Sequence, residues 1–175
     1  MAAVRSAELV LPGDRGIFIA SNILGIPLHY RMSGMDYASA LLARLSEDGK
    51  SVFLLGAREQ TVQYAAGRIA ARYPGIKIAG SADGRFVDDT ELVAKINAAS
   101  PDLLLVCLSS PRQELWIYDA CSGLNAGMTL CMGDVLEAKN ARHKENWFRR
   151  LIKNPKRTLK IPRMVLAALW KRIAG

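Results

Sequence analysis

The sequence predicts an α/β fold: a parallel sheet with helices on both faces, followed by a basic, amphipathic C-terminal helical tail. Three observations carry this expectation. Short apolar runs alternate with amphipathic stretches along most of the chain, the rhythm of strand–helix units. Leu103 to Leu108 is an unbroken apolar run, too short for a globular helix and bounded by Ser100-Pro101-Asp102 and Ser109-Ser110-Pro111, as a strand covered on both faces reads. The net charge of +8 is also unevenly placed. Arg142 to Arg172 holds eleven Lys or Arg and one acidic residue, Glu145, a charge of +10 that leaves −2 for the remainder.

The elements follow in order. Ala7 to Ile17 reads as a short strand entering a glycine-bearing turn, then a helix near Ile17 to Leu24 that Gly25-Ile26-Pro27 ends. Met35 to Glu47 places Tyr37, Leu41, Leu42 and Leu45 on one helical face and stops at Asp48-Gly49, a C-cap signal. Ser51 to Leu55 is a buried strand closed by Gly56, and Thr61 to Tyr73 an alanine-rich helix. A strand at Ile76 to Ala79, a helix at Asp88 to Ala98, the strand at Leu103 to Leu108, a helix from Pro111 to Ala120 and a strand at Met128 to Met132 complete a Rossmann-like order. The expected organisation is one α/β domain over residues 1–140 and a basic segment over 141–175.

Composition narrows the function classes. A chain of 175 residues, half of them apolar, can bury one sizeable core. Cys107, Cys121 and Cys131 are an odd number without close pairing and read as reduced core thiols of a cytosolic protein. No run approaches the ~20 apolar residues of a membrane span, and the first residues lack a signal pattern, so the expected membrane contact is peripheral. His29 and His143 stand apart from any cluster of ligands, so a metal-independent site without cofactor is expected. The sequence also shows no Walker loop or nucleophile elbow. The basic tail comes without a nucleic-acid recognition motif, and no nucleic-acid partner is expected.

Chemistry is expected where the Leu103–Leu108 strand empties into polar residues, because ligands of open α/β sheets settle at the carboxyl ends of strands. Pro111 would start a helix whose first turn carries Arg112, Gln113 and Glu114, and its amides suit an anion. Gln113 offers both a donor and an acceptor to a sugar hydroxyl or phosphate. Glu114 either joins it or braces the turn, and Trp116 reads as core. Arg31 presents a two-point fork for phosphate or carboxylate. Asp36 either N-caps the Tyr37 helix or touches ligand. Gly56, ending an apolar strand, would let a pyrophosphate approach the backbone, and Asp83-Gly84 makes a turn.

These residues also carry a resemblance. Ser100-Pro101-Asp102-Leu103-Leu104-Leu105-Val106 followed by Ser110-Pro111-Arg112-Gln113-Glu114-Leu115-Trp116 resembles the signature of the WecG/TagA/CpsF glycosyltransferases. Arg31-x-x-Gly34-x-Asp36, Ser51 to Gly56, Tyr73-Pro74-Gly75 and Asp83-Gly84-Arg85-Phe86 fall in that family's order. The resemblance implies an inverting hexosyltransferase that moves N-acetylmannosamine, its uronate or a related hexose from a UDP-sugar donor to a polyprenyl-pyrophosphate-linked acceptor, in bacterial surface polysaccharide synthesis. It implies that Gln113 and Arg31 position the reactants and that a carboxylate near Leu11-Pro12 acts as base. The family's Leu-Pro-Asp-Gly is here Leu11-Pro12-Gly13-Asp14, which moves the candidate base, Asp14, by one residue. The family commonly carries a polar amino-terminal segment upstream of this start, and a shortened loop is expected after Gly133-Asp134. A catalytically degenerate member acting as a sugar-nucleotide-binding or membrane scaffold is the rival expectation.

The tail combines Trp147, Phe148 and Trp170 with basic residues, as interfacial segments do. Arg149, Arg150, Lys153 and Arg157 are the expected contacts to anionic lipid or to donor phosphates. The expected location is cytoplasmic, peripherally on the inner face of the membrane, with a homo-oligomer left open.

Overall fold

The computed structural model describes residues 2–11, 20–25, 28 and 34–136. The 141–175 segment, and with it the expected basic tail, lies outside the described residues, as do residues 17–19 of the helix expected near Ile17 to Leu24, of which residues 20–23 are helical. The elements are α1 (Ala2–Arg5), α2 (Gly34–Glu47), β1 (Ser51–Gly56), α3 (Glu59–Arg72), β2 (Lys77–Ala82), α4 (Asp89–Ala99), β3 (Leu103–Cys107), α5 (Arg112–Ala120), a 3-10 turn (Cys121–Gly123) and β4 (Met128–Cys131).

All four strands are parallel and lie in the order β2-β1-β3-β4. β3 is the centre of the fold. Its five residues are at most 5 % exposed, and each buried aliphatic side chain contributes about 1.5–3 kcal/mol relative to exposure. Successive strand residues face opposite sides, so Val52, Leu54, Leu103 and Leu105 pack with Tyr37, Leu41, Leu45, Val62 and Ile69 of α2 and α3. Phe53, Leu55, Leu104 and Val106 pack with Leu92, Ile96 and Trp116 of α4 and α5 on the other face. The α/β architecture with helices on both faces is therefore as expected, and a continuous apolar run is what two-sided burial requires.

Local signals set the helix ends. Asp88 caps α4, its carboxylate accepting from the amides of Thr90 at 2.7 Å and Glu91 at 3.3 Å. At the end of α2, Gly49 N–H donates to Ser46 and Lys50 N–H to Leu45, closing the helix at the expected Asp48-Gly49. Two expectations are corrected. The apolar Leu9-Val10-Leu11 stretch is not a strand: residues 7–11 have no regular structure and Val10 is 59 % exposed, so the two-sided burial that stabilises a parallel strand is missing. β2 runs to Ala82 instead of stopping at Ala79, because its pairing with β1 continues through Leu54–Ser81 and Leu55–Ala82 beyond a register shift at Val52/Phe53.

The amino end of the sheet is fastened by Asp102. Its carboxylate accepts from the Ser51 amide at 2.8 Å, the Ser51 hydroxyl at 2.8 Å and Lys50 Nζ at 3.1 Å, tying β1 to β3. Burial pushes this carboxyl up, but the Ser51 hydrogen bonds and the Lys50 charge together outweigh it and hold the group below the usual carboxylate range. A depressed folded-state pKa gives stability that is present at neutral pH and lost as pH falls below about 4. The denaturation midpoint of the wild type should therefore fall with pH in that acid range, and Asp102→Asn should lack this component at every pH.

The carboxyl end depends on Gly56, paired with Cys107 in the β1–β3 register. Its φ is +135°, and a Cβ there would lie 2.2 Å from the Cys107 carbonyl oxygen, a backbone atom unable to yield. Gly56→Ala should cost at least about 3 kcal/mol, from backbone strain together with overpacking, measured as a shift in urea midpoint.

Candidate functional site

The order β2-β1-β3-β4 creates a switch point between β1 and β3. β1 leads into α3 on one face of the sheet and β3 into α5 on the other. The chain leaves these two adjacent strands toward opposite faces there, which is where α/β sheets take ligands. Gly56 and Ser109 to Glu114, which the sequence singles out for chemistry, come to this edge, together with the Asp83-Gly84 turn and Gly133-Asp134. The start of α2 joins them, Gly34 lying against the Met132 side chain beyond β4.

The space directly over the switch is taken by protein. Gly84 N–H donates to the Ala57 carbonyl at 2.7 Å, and a Cβ on Gly84 would meet Leu108 at 2.9 Å and the Gly56 Cα at 3.2 Å. The close approach that Gly56 permits is thus used by Cys107 and by the β2 exit loop. Asp83 shapes that loop by accepting from Arg85 N–H at 3.0 Å, the turn role expected of it. Arg112 holds the loop from the other side. Its guanidinium donates to the Gly84 carbonyl and lies 4.6 Å from the Phe86 ring centroid, and Phe86 in turn packs against Trp116 at 5.7 Å. Trp116 is buried in the core, as expected. α5 itself begins at Arg112, with Pro111 as the residue before its first turn instead of within it.

Open chemistry remains on the β3–β4 side. Gln113 is 7 % exposed, the one polar residue in the buried core among the described residues, and both ends of its amide are engaged. Gly133 N–H donates to Gln113 Oε1 at 2.9 Å, and Gln113 Nε2 donates to Glu114 Oε1 at 3.0 Å. With an N–H on one side and a carboxylate on the other, only one amide orientation satisfies both. Gln113 therefore ties the first turn of α5 to the turn after β4. Its backbone amide is spent on the Ser109 carbonyl at 3.1 Å, so it is withdrawn from the anion-holding set expected of this helix start. Glu114 Oε2 is buried and has no hydrogen-bond partner. Glu114 also faces β4: burial first, and then its negative charge, push the Cys131 thiol up to about 11. The Cys107 thiol is pushed further up by complete burial and by Cys131.

Asp14 and Arg31 lie outside the described residues, as do Arg149, Arg150, Lys153 and Arg157. Asp36 is an exposed residue inside the first turn of α2, which starts two residues earlier, so it favours the helix dipole and is not the N-cap. Among the described residues no three His, Cys, Asp or Glu side chains gather as a metal-ligand set. Sequence reasoning missed the clamp of Arg112 on Gly84 and the hydrogen bond from Gly133, both of which join residues more than nineteen positions apart. The one available signal was the adjacency of Asp83-Gly84 to an aromatic residue.

Two measurements check this geometry. Gln113→Ala leaves the part-buried Gly133 N–H without its acceptor and should cost about 0.5–1.5 kcal/mol in denaturant titration, independent of any ligand. At pH 8, where a thiolate is needed for alkylation, Cys121 should react first with iodoacetamide, Cys131 slowly and Cys107 only on unfolding, as read by peptide mass spectrometry.

Comparison with known proteins agrees with the motifs. The profile of the Glycosyl transferase WecG/TagA/CpsF family matches residues 1–175. An N-acetylglucosaminyldiphosphoundecaprenol N-acetyl-beta-D-mannosaminyltransferase of Bacillus spizizenii is 33 % identical over 181 residues, covering 96 % of this chain and 70 % of the relative. The protein of that name from Bacillus subtilis is 35 % identical over 178 residues, covering 94 % and 69 %. One from Staphylococcus aureus (strain NCTC 8325 / PS 47) is 28 % identical over 134 residues, covering 77 % and 53 %.

Proposed function

The chain belongs to the WecG/TagA/CpsF family of glycosyltransferases, and from that premise we propose that it transfers an N-acetylmannosaminyl or closely related hexosyl group from a UDP-sugar to a polyprenyl-pyrophosphate-linked N-acetylglucosamine. The observation that supports this reading is the meeting of Asp83-Gly84, Ser109 to Glu114 and the β4 exit turn at the carboxyl edge of the sheet, with Gln113 buried and oriented between α5 and that turn. The product would enter a bacterial surface polysaccharide.

In the proposed reaction an acceptor hydroxyl attacks the anomeric carbon from the face opposite UDP. The hydroxyl proton passes to a carboxylate, and the bond to UDP breaks with its electron pair on the leaving phosphate. Asp14 is the carboxylate assigned to the proton, Gln113 and Glu114 hold the reacting groups, and Arg31 neutralises charge on phosphate. Gly56 and Asp36 frame the same edge. The basic segment, through Arg149, Arg150, Lys153 and Arg157, is assigned to the anionic inner membrane face, where each cation contributes about 1 kcal/mol. Co-sedimentation with phosphatidylglycerol vesicles should accordingly be strong at low salt and fall steeply as ionic strength rises.

Transfer from a panel of labelled UDP-sugars to a short-chain polyprenyl-pyrophosphoryl N-acetylglucosamine tests the proposal. Turnover with UDP-N-acetylmannosamine is expected, together with at least a hundredfold loss in Gln113→Ala protein shown by circular dichroism to be folded, an effect of about 2.7 kcal/mol or more on the barrier. Absence of turnover across a panel that the Bacillus subtilis relative accepts would remove the transferase reading.

A further inference from the structure

Glu114 has only half of its carboxylate engaged. Oε1 accepts from Gln113, whereas Oε2 is buried without a donor. A buried acceptor in this condition is costly, and a folded chain keeps it where something else supplies the hydrogen. Gln113 is the complementary half. Gly133 N–H occupies its Oε1 and Glu114 Oε1 takes one Nε2 hydrogen, while a primary amide carries two. The pair thus leaves one donor and one acceptor side by side, on a frame tied to both α5 and the β4 exit turn.

The chemistry of that pair is specific. The Glu114 charge repels a phosphate or a uronate carboxylate, and the acceptor demands a hydrogen. A neutral group that both gives a hydrogen and accepts one, a sugar hydroxyl or an acetamido group, fits both halves. We propose that Glu114 Oε2 and the second Gln113 N–H form a subsite for a hydroxyl or acetamido group of a neutral sugar. This rests on the transferase reading above, and it adds the group that is recognised and makes Glu114 a specificity residue.

The test is calorimetric titration of full-length wild-type and Glu114→Gln protein with UDP, with UDP-N-acetylmannosamine and with a soluble short-chain pyrophosphoryl N-acetylglucosamine lipid. Glutamine keeps an oxygen for Gln113 and turns the free position from acceptor to donor. Affinity for one sugar ligand should fall by about tenfold or more, the worth of a hydrogen bond to a charged group, with UDP binding unchanged. A loss on UDP-N-acetylmannosamine assigns the subsite to the donor sugar, and a loss on the lipid assigns it to the acceptor sugar. The melting temperature should not drop, since an unmet buried charge has been removed; if this variant does not fold, Glu114→Asp, which withdraws the carboxylate by one methylene, is titrated in the same way. Unchanged affinity for both sugar ligands overturns the proposal, and so does a loss shared equally by UDP. Wild-type protein that binds none of the three ligands overturns the transferase reading along with it.

Discussion

Burial of β3 on both faces is the constraint on which the rest of the structure depends. With none of its five residues more than 5 % exposed, the strand must have a parallel neighbour on each side and a helical layer above and below. Its backbone groups have no water to turn to, so they pair with β1 and β4. The chain can then leave only at the ends of the strand. At the amino end Asp102 turns the departure into a fastening to Ser51 and Lys50; at the carboxyl end the chain opens into Ser109 to Glu114. The two polar ends of one apolar strand thus divide the work, one holding the sheet and the other, in the proposed function, presenting groups to a ligand.

The carboxyl edge is itself divided. Over β1, Gly56 and Gly84 bring three pieces of backbone into contact, and Arg112 clamps them with Phe86 beneath its guanidinium. This part is closed. Over β3 and β4, Gln113 makes the connection through an amide that retains unused hydrogen-bonding capacity, and the neighbouring Glu114 keeps a buried oxygen unmet. A closed wall beside an unsatisfied polar corner is an arrangement suited to holding a sugar in one pose. Gln113 is consequently a packing residue and, in the proposed function, a site residue as well.

Much of the fold is legible in the sequence because its strongest signals are local. Runs such as Val52-Phe53-Leu54-Leu55 and Leu103 to Val106 have few alternatives to a buried strand, and Asp88 and Asp48-Gly49 mark helix ends by their own chemistry. Leu9-Val10-Leu11 carries the same apolar signature and yet is no strand, since what decides it is the absence of a pairing neighbour, and that is not a local property. The site is half legible for the same reason. Gln113 and Glu114 stand out through their position after β3, but the approach of Gly84 to Gly56, the grip of Arg112 and the Gly133 hydrogen bond exist only once the sheet has brought distant exits together.

Membership of a glycosyltransferase family and the geometry of the edge meet in the proposal that a ligand sits at the carboxyl ends of β3 and β4, against Gln113 and the Gly133 turn. Hydrogen–deuterium exchange of the full chain with and without saturating UDP-N-acetylmannosamine tests it most directly. The account predicts new protection in peptides spanning Ser109 to Glu114 and Met132 to Asp134, with the Asp102 end of the sheet unchanged. Protection confined to the amino end of the sheet, or to the outer faces of α3 and α4, would contradict it.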